Sequence, residues 1–149
     1  MPEYKDCSEI DKFFEGCIEP EMKELLYEIP AYCLQPGQPA QKGFMIYGPE
    51  RSSKSSYVEL IRTFLGAENC ESISLHDLVS DKFSAAPMYN KVANITADIS
   101  YEALTDVSKF KQITGGDMIS IRRMHKEPFS AYVNAKQIFT ANQVPMINE

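Results

Sequence analysis

Apolar side chains recur at the spacing of a helix face in the first part of the chain. One series comprises Ile10, Phe13, Phe14, Cys17 and Ile18, and a second comprises Met22, Leu25, Leu26 and Ile29. Residues three and four positions apart share a helix face, so the pattern predicts two amphipathic helices. Ser8 is expected to cap the first helix, Pro20 to open the second, and Pro30 to break or kink it.

Short apolar runs alternate with helical patterns from residue 42 onward. Strands are predicted at residues 44–47, 72–74, 92–96 and 137–140, and helices at residues 54–65, 75–82 and 103–113. Two further segments, 118–122 and 129–133, are predicted to pair as a hairpin around a polar tip. Alternating strands and helices indicate an α/β fold with a parallel sheet covered on both faces, into which the hairpin is inserted.

A polar stretch, QPGQPAQ at residues 35–41, separates the two patterns and indicates a linker. The predicted organisation is an N-terminal helical segment, residues 1–41, followed by an α/β core, residues 42–149. A length of 149 residues with 44% hydrophobic and 24% charged residues suits an ordinary globular protein with one core.

Features of a membrane or secreted protein are missing from the sequence. No apolar run approaches the roughly 20 residues that span a bilayer, and the polar start MPEYKDCSEIDK does not resemble a secretory signal. The four cysteines lack the spacing of a zinc or redox site, so they are predicted to be reduced and at least partly buried. These are Cys7, Cys17, Cys33 and Cys70. The expected location is the cytoplasm.

The charge of the chain is unevenly distributed. The net charge is −6, but residues 109–126 contain five cations and only one acid, a net +4 that leaves −10 for the rest. A polyanionic partner is therefore expected to bind this segment and little else.

Residues 48–55, GPERSSKS, follow an apolar strand and open a predicted helix. This is the context of a P-loop, whose backbone N–H groups and helix N-terminus bind phosphates. Lys54 would reach the β- and γ-phosphates of ATP, and the Ser55 hydroxyl would bind Mg²⁺. The predicted nucleotide-binding residues are Gly48, Ser53, Lys54, Ser55 and Ser56. The alternative is a serine-rich turn without a ligand.

One residue of this loop departs from the P-loop pattern. Ser53 stands where the pattern has glycine. If that position needs a positive φ, the serine costs about 1 kcal/mol, which would weaken nucleotide binding.

Two polar residues follow predicted strands of the same sheet. Asp98 comes after the strand at residues 92–96 and is predicted to hold the Mg²⁺ water shell, with Ala97 where many motors have a second acid. Asn142 comes after the last strand and is predicted to contact the γ-phosphate and position the attacking water. The alternatives are a helix-capping acid and an asparagine in an Asx turn.

Paired glycines and a basic tip characterise the predicted hairpin. The run TGGD at residues 114–117 permits a sharp turn, and the tip that follows contains three cations and a histidine. These are Arg122, Arg123, His125 and Lys126. Such a tip suits DNA phosphates, although a solvated polar loop is the alternative.

In this order, the loop, the strand ANITADIS and the run FKQITGGDMISIRRMHKEPF with AKQIFTANQVP resemble a known family. They look like the superfamily-three helicase core of phage, plasmid, archaeal and viral primase-helicases. The lead-in IDKFFEGCIEPEMKELLYEIPAYCL resembles the helical segment before that motor, so the resemblance covers nearly the whole chain.

The resemblance implies a P-loop, AAA-type three-layer core that hydrolyses ATP with Mg²⁺. It also implies a ring, usually a hexamer, that threads single-stranded DNA past the hairpin. Lys54 and Ser55 match the Walker A residues, Asp98 the Walker B acid and Asn142 the sensor asparagine.

The family continues beyond Asn142 into a segment with an arginine finger, whereas this chain has no arginine after Arg123. The chain is therefore expected to be a fragment of a motor with negligible hydrolysis of its own. A catalytically inactive remnant that binds DNA or assembles with longer partners is the alternative. A small-molecule P-loop kinase is a third hypothesis, weakened because Arg62 is the only arginine between Lys54 and Asp98.

Overall fold

The computed structural model describes residues 6–97, 99 and 106–143. Four parallel strands form the central sheet, namely β1 (Phe44–Tyr47), β2 (Cys70–Glu71), β3 (Ala93–Thr96) and β6 (Lys136–Ala141), in the order β1-β6-β3-β2. A separate antiparallel hairpin consists of β4 (Met118–Ile121) and β5 (Phe129–Tyr132). The helices are α1 (Ser8–Glu15), α2 (Lys23–Cys33), α3 (Lys54–Leu65), α4 (Leu75–Ser80), α5 (Ala85–Met88) and α6 (Ser108–Gly115).

Helices cover both faces of the sheet, as the alternating pattern predicts. Ile138 of β6 belongs to a buried cluster with side chains of α2 and α3. The next residue, Phe139, belongs to a second cluster with side chains of α4, α5, α6 and the hairpin. Successive residues of a strand point to opposite faces, so β6 is buried from both sides and the fold is α/β. In the described part of the chain, no helix has the length and apolar character needed to cross a bilayer.

The prediction of a strand at residues 72–74 is wrong, because β2 ends at Glu71. Beyond it, the Asn94 side chain bonds both backbone groups of Ile73: Ile73 N donates to Asn94 Oδ1 at 2.7 Å, and Asn94 Nδ2 donates to Ile73 O at 2.9 Å. A side-chain amide therefore replaces the backbone ladder here. Asn94 also donates to Gln137 Oε1 at 2.9 Å, so this buried amide is well bonded.

Pro30 does not end the second helix, which continues to Cys33. A proline inside a helix lacks the N–H that would bond the carbonyl four residues earlier, here that of Leu26. In this protein the Tyr57 hydroxyl of α3 donates to Leu26 O at 2.8 Å. The tertiary contact satisfies the carbonyl that Pro30 leaves open, so the helix tolerates the proline.

Other local predictions need smaller corrections. Cys7, rather than Ser8, is the N-cap of α1, and the Ser8 N–H donates to Asp6 Oδ1 at 3.0 Å. Pro20 opens a 3₁₀ turn, Pro20–Met22, immediately before α2. The four-residue helix α5 was not predicted, since it is too short to show a period. Two cysteines are buried and Cys17 is half-buried, but Cys7 is exposed, which contradicts the prediction of burial for all four.

The predicted linker at residues 35–41 is docked against the core. Gln38 is buried, and its Nε2 lies within 3.4 Å of the carbonyls of Val133, Asn134 and Ala135. The buried Lys136 donates to Gln35 O at 2.7 Å and lies 5.0 Å from the centre of the Tyr32 ring. Burial lowers the pKa of Lys136. Residues 133–136, at the start of β6 and just before it, thereby contact the predicted linker and the end of α2. The domain boundary at residue 41 stays a prediction.

Candidate functional site

The loop of residues 48–53 leaves β1 and enters α3, in the position that the sequence predicts for a phosphate loop. Strand β1 pairs in parallel with β6, so that Tyr47 lies opposite Ala141. The Gly48 N–H donates to Ala141 O at 3.3 Å. This pairing brings the start of the loop next to Asn142, the residue after β6. The carboxyl ends of adjacent parallel strands lie at the same edge of the sheet, and ligands of α/β proteins usually bind at that edge.

The backbone of the loop is strained at two positions. Ser53 has φ 63° and ψ 9°, the left-handed conformation expected if this residue occupies the place of a P-loop glycine. Arg51 also has a positive φ, 60°, which the sequence did not indicate. Each non-glycine residue in this region costs about 1–2 kcal/mol, so the surrounding fold must stabilise the loop.

The side chain of Lys54 folds back over the loop. Its Nζ donates to Gly48 O at 2.7 Å, to Pro49 O at 2.6 Å and to Ser52 Oγ at 3.1 Å. These contacts use the three donors of the ammonium group. A Cβ at Gly48 would lie 3.0 Å from Ser52 Oγ, which favours glycine at this position. Lys54 thus stabilises the closed shape of the loop and places a positive charge inside it.

A polar cavity of about 470 Å³ opens beside the loop. Its lining comprises Glu50, Arg51, Ser52, Ser53, Lys54, Ser55, Ser56, Thr140 and Asn142. The structure therefore brings Ser53, Lys54, Ser55, Ser56 and Asn142 together around one space. Asp98 lies outside the described residues, and its predicted approach to Lys54 stays a prediction.

An apolar cavity of about 200 Å³ lies against the same loop. Side chains of α1 and the following turn line it, including Phe13, Cys17 and Ile18, together with Ile46 and Tyr47 of β1. Ser52, Ser53 and Lys54 line both cavities. The sequence predicted the helix to which Phe13 belongs but not its contact with the loop. The apolar stripe of this helix includes both Phe13 and Phe14. It is wide enough to pack on the buried core and also to line this cavity.

The predicted hairpin is present, and its tip, residues 122–128, is exposed throughout. His125 has φ 56° at the turn. Arg123 is not a free cation: its guanidinium lies 4.7 Å from the centre of the Phe129 ring and 5.9 Å from that of Tyr89. Arg122, His125 and Lys126 are exposed at the same tip.

The basic segment 109–126 does not form one continuous patch. Lys109 Nζ donates to Asp81 O at 2.5 Å and to Ser84 Oγ at 3.2 Å, and burial lowers the pKa of this lysine. Lys109 therefore stabilises the contact between α6 and the segment after α4. Its ammonium group is bonded to this segment rather than exposed with the cations of the hairpin tip, which the charge pattern along the sequence did not reveal.

The described part of the chain contains no group of three or more histidine, cysteine, aspartate or glutamate side chains that could hold a metal ion. It therefore offers no metal site in addition to the predicted one. Ser55 lines the polar cavity together with Lys54. A serine hydroxyl beside the lysine of a phosphate loop is a usual magnesium ligand when a triphosphate is bound. The donors present therefore fit a magnesium ion that is held mainly by phosphate oxygens rather than by a protein cage.

Comparisons with known proteins find one matching family model and several solved structures of similar fold. A family described as "Family of unknown function (DUF5906)" matches residues 46–149. No curated protein matches the chain. The apo structure of the NrS-1 C-terminal region has a TM-score of 0.75 and 14% identity, covering 99% of this chain and 37% of that one. Its A form has a TM-score of 0.74 and 12% identity, covering 98% and 35%. The chain thus spans about a third of these structures, and the likeness shows a shared fold.

Proposed function

The chain belongs to the family of unknown function DUF5906, and we propose that it is the ATP-dependent motor core of a replicative DNA helicase that translocates on single-stranded DNA. The resemblance of its motifs to the superfamily-three primase-helicases suggests this activity. That resemblance also suggests a P-loop, AAA-type core and a homo-oligomeric ring, usually a hexamer.

The observation that carries the proposal is the polar cavity beside the loop. Lys54 and Ser55 are adjacent in the sequence and Asn142 is remote from them, yet all three line this cavity. A helix N-terminus, a lysine and serine hydroxyls around one space suit the phosphates of a nucleotide. The adjoining apolar cavity lined by Phe13 and Ile18 suits the base, because an aromatic base prefers apolar and aromatic neighbours.

Each residue of the polar cavity has a distinct proposed role. When bound, ATP with Mg²⁺ would supply the phosphoanhydride bond between the β- and γ-phosphates that is hydrolysed. Lys54 would exchange a neutral acceptor such as Ser52 Oγ for a phosphate oxygen, a stronger charge-assisted bond. Ser55 would bind Mg²⁺, and Asn142 would orient the attacking water. By resemblance, Asp98 would hold the water shell of the ion.

The hairpin tip is the proposed contact with DNA. Arg122, Arg123, His125 and Lys126 are all exposed on it, whereas the chain as a whole is acidic. Cations on an exposed tip bind the phosphate backbone without reading the sequence. A ring of several copies would place several tips on one strand and raise the affinity through effective concentration.

A catalytically inactive remnant is the second candidate, favoured by the strained loop. Ser53 and Arg51 both have positive φ, and Lys54 is already bonded within the loop. The strain lowers the stability of the loop, and Lys54 must exchange a bond within the loop before it can bind a phosphate. The kinase hypothesis gains no support, because Arg62 donates to Ile95 O at 3.1 Å, on the sheet rather than on a lid.

Isothermal titration calorimetry with ATP separates the two candidates. The motor core should bind ATP weakly but measurably, and more tightly with Mg²⁺ than without it. Ser55→Ala should abolish the difference that Mg²⁺ makes, whereas Ser130→Ala on the exposed side of β5 should preserve it. Binding of DNA without any heat from ATP would instead identify the remnant.

A further inference from the structure

Among the residues of the hairpin tip, Arg123 is distinguished by its contact with two aromatic rings. Its guanidinium lies over Phe129, at the start of β5, and over Tyr89, directly after α5. The two rings pack edge to face, with centres 5.2 Å apart and planes at 76°. Both rings also pack against the buried cluster beneath the hairpin. The hairpin and the segment after α5 therefore meet at this guanidinium.

Hydrogen-bond donors of Arg123 remain accessible, because the side chain is exposed although it contacts two rings. A guanidinium has five N–H donors, and attraction to an aromatic face does not use all of them. The Arg123 side chain is exposed. An arginine that is already fixed on a ring loses less conformational entropy when it binds a phosphate. Arg122, also exposed, makes no comparable ring contact within the described residues.

We propose that Tyr89 and Phe129 are positioning residues that hold Arg123 ready to bind a backbone phosphate of single-stranded DNA. The inference rests on the proposed function of the hairpin and deepens it. The three cations of the tip are then unequal: Arg123 binds a phosphate through fixed geometry, while Arg122 and Lys126 contribute mobile charge. Affinity should depend on aromatic rings that need not contact the DNA.

The test is fluorescence anisotropy of a labelled oligothymidylate titrated with the full chain and its variants. Arg123→Lys keeps the charge but loses the planar group, so affinity should fall about three- to tenfold. Phe129→Leu should produce a similar loss, and Phe129→Tyr, which keeps the ring, should restore wild-type binding. Arg122→Lys is the matched control and should change affinity less than about twofold. The salt slope should be unchanged in these variants, because the number of cations is unchanged.

A double-variant cycle distinguishes positioning from a purely structural role. If the ring acts through Arg123, Phe129→Leu should have no further effect in an Arg123→Ala background. An equal loss in both backgrounds would overturn the proposal, because the ring would then act on the DNA or on the hairpin fold directly. Thermal melting by circular dichroism checks that each variant is folded.

A different result would disprove the proposed DNA-binding function of the hairpin. If the variant with Arg122, Arg123 and Lys126 all replaced by alanine binds the oligonucleotide as the wild type does, the hairpin is not the DNA site. Both proposals then fall. If that variant loses binding while Arg123→Lys and Arg122→Lys behave alike, only the positioning role of the rings is overturned.

Discussion

The loop at residues 48–55 and the hairpin tip at residues 122–128 are the two proposed polyanion sites, and they are constructed differently. In the loop, Ser53 and Arg51 adopt strained conformations, and Lys54 is bonded inward to Gly48 O and Pro49 O. The tip has exposed side chains throughout. Phosphate binding by the loop should therefore depend on the shape of its backbone, whereas DNA binding by the tip should depend mainly on the number of its charges.

This difference predicts different sensitivity to substitution. A backbone cradle loses function when one conformation or one bond is lost, because its groups must converge on the same phosphates. A mobile charged tip should lose binding gradually, roughly in proportion to the charges that are removed. Arg123, fixed on Phe129 and Tyr89, is the one residue of the tip that should behave like the loop.

The largest expected effect is on nucleotide binding by Lys54→Ala. Loss of a charge-assisted bond to phosphate should weaken ATP binding roughly 10- to 100-fold, measured by calorimetry. Lys126→Ala removes the same charge from the tip and should leave ATP affinity unchanged. If the two variants weaken ATP binding equally, net charge rather than loop geometry governs the site, and the contrast between the regions is lost.

The reciprocal effect concerns DNA binding by the tip. Replacing Arg122, Arg123 and Lys126 with alanine should remove most affinity for single-stranded DNA and flatten its salt dependence. If these side chains bind two or three phosphates, their removal should change the log–log slope by roughly 1.4–2.1. Anisotropy titrations at several salt concentrations measure this slope, and ATP binding by the same variant serves as the internal control. A slope equal to that of the wild type would contradict the prediction.

Alkaline pH should weaken the core beneath the loop. Burial raises the pKa of Cys33 from 9.0 to about 12, and it also raises the pKa of Tyr57, which belongs to the same cluster and lines the apolar cavity. Above pH 9 the unfolded thiol loses its proton while the folded one keeps it, so stability falls as pH rises.

The contribution of Cys33 approaches about 1.4 kcal/mol per pH unit. Urea denaturation between pH 9 and 11 should therefore show a shallower decline for Cys33→Ala than for the wild type. Between pH 6 and 8 the two proteins should show parallel behaviour, because the thiol is neutral in both states. Equal slopes above pH 9 would rule out this role for the buried thiol.

The smallest expected effect is the relief of strain by Ser53→Gly. Glycine adopts φ near 63° without a Cβ clash, so the folded protein should gain about 1 kcal/mol of stability. Glu59→Gly, at an exposed site inside α3, should instead cost about 1 kcal/mol. Denaturant midpoints of both variants give the comparison. A loss of stability with Ser53→Gly would show that the serine side chain stabilises the loop.

Local signals allowed several elements to be predicted at their observed positions. Strand β1 and helix α3 begin and end at the predicted residues, because an apolar run, a glycine turn and a helical stripe follow one another directly. The hairpin arms agree to within one residue at their ends, since alternating apolar positions flank a polar tip. Helix α6 does not match its predicted bounds of 103–113: it begins at Ser108, after the non-helical residues 106–107, and ends at Gly115. Residues 103–105 of that prediction lie outside the described part of the chain.

The candidate loop could be predicted because its residues are contiguous, but its surroundings could not. Nothing near Phe13 in the sequence indicates that it lines a cavity with Ser52 and Lys54. The pattern of charges likewise could not separate Lys109, which is bonded to the core, from Lys126, which is exposed. Burial depends on neighbours that are remote in sequence.

By itself, the sequence determined the α/β class, the loop between β1 and α3, and the basic hairpin. Each of these is indicated by a pattern among residues that are close together in the sequence. Only the tertiary structure decided that α2 continues beyond Pro30, that Lys136 is buried and that Arg123 lies against aromatic rings. The Tyr57–Leu26 bond joins residues 31 positions apart, and the Lys136–Gln35 bond joins residues 101 positions apart. Such contacts form only when the sheet brings distant segments together, and no local pattern specifies them.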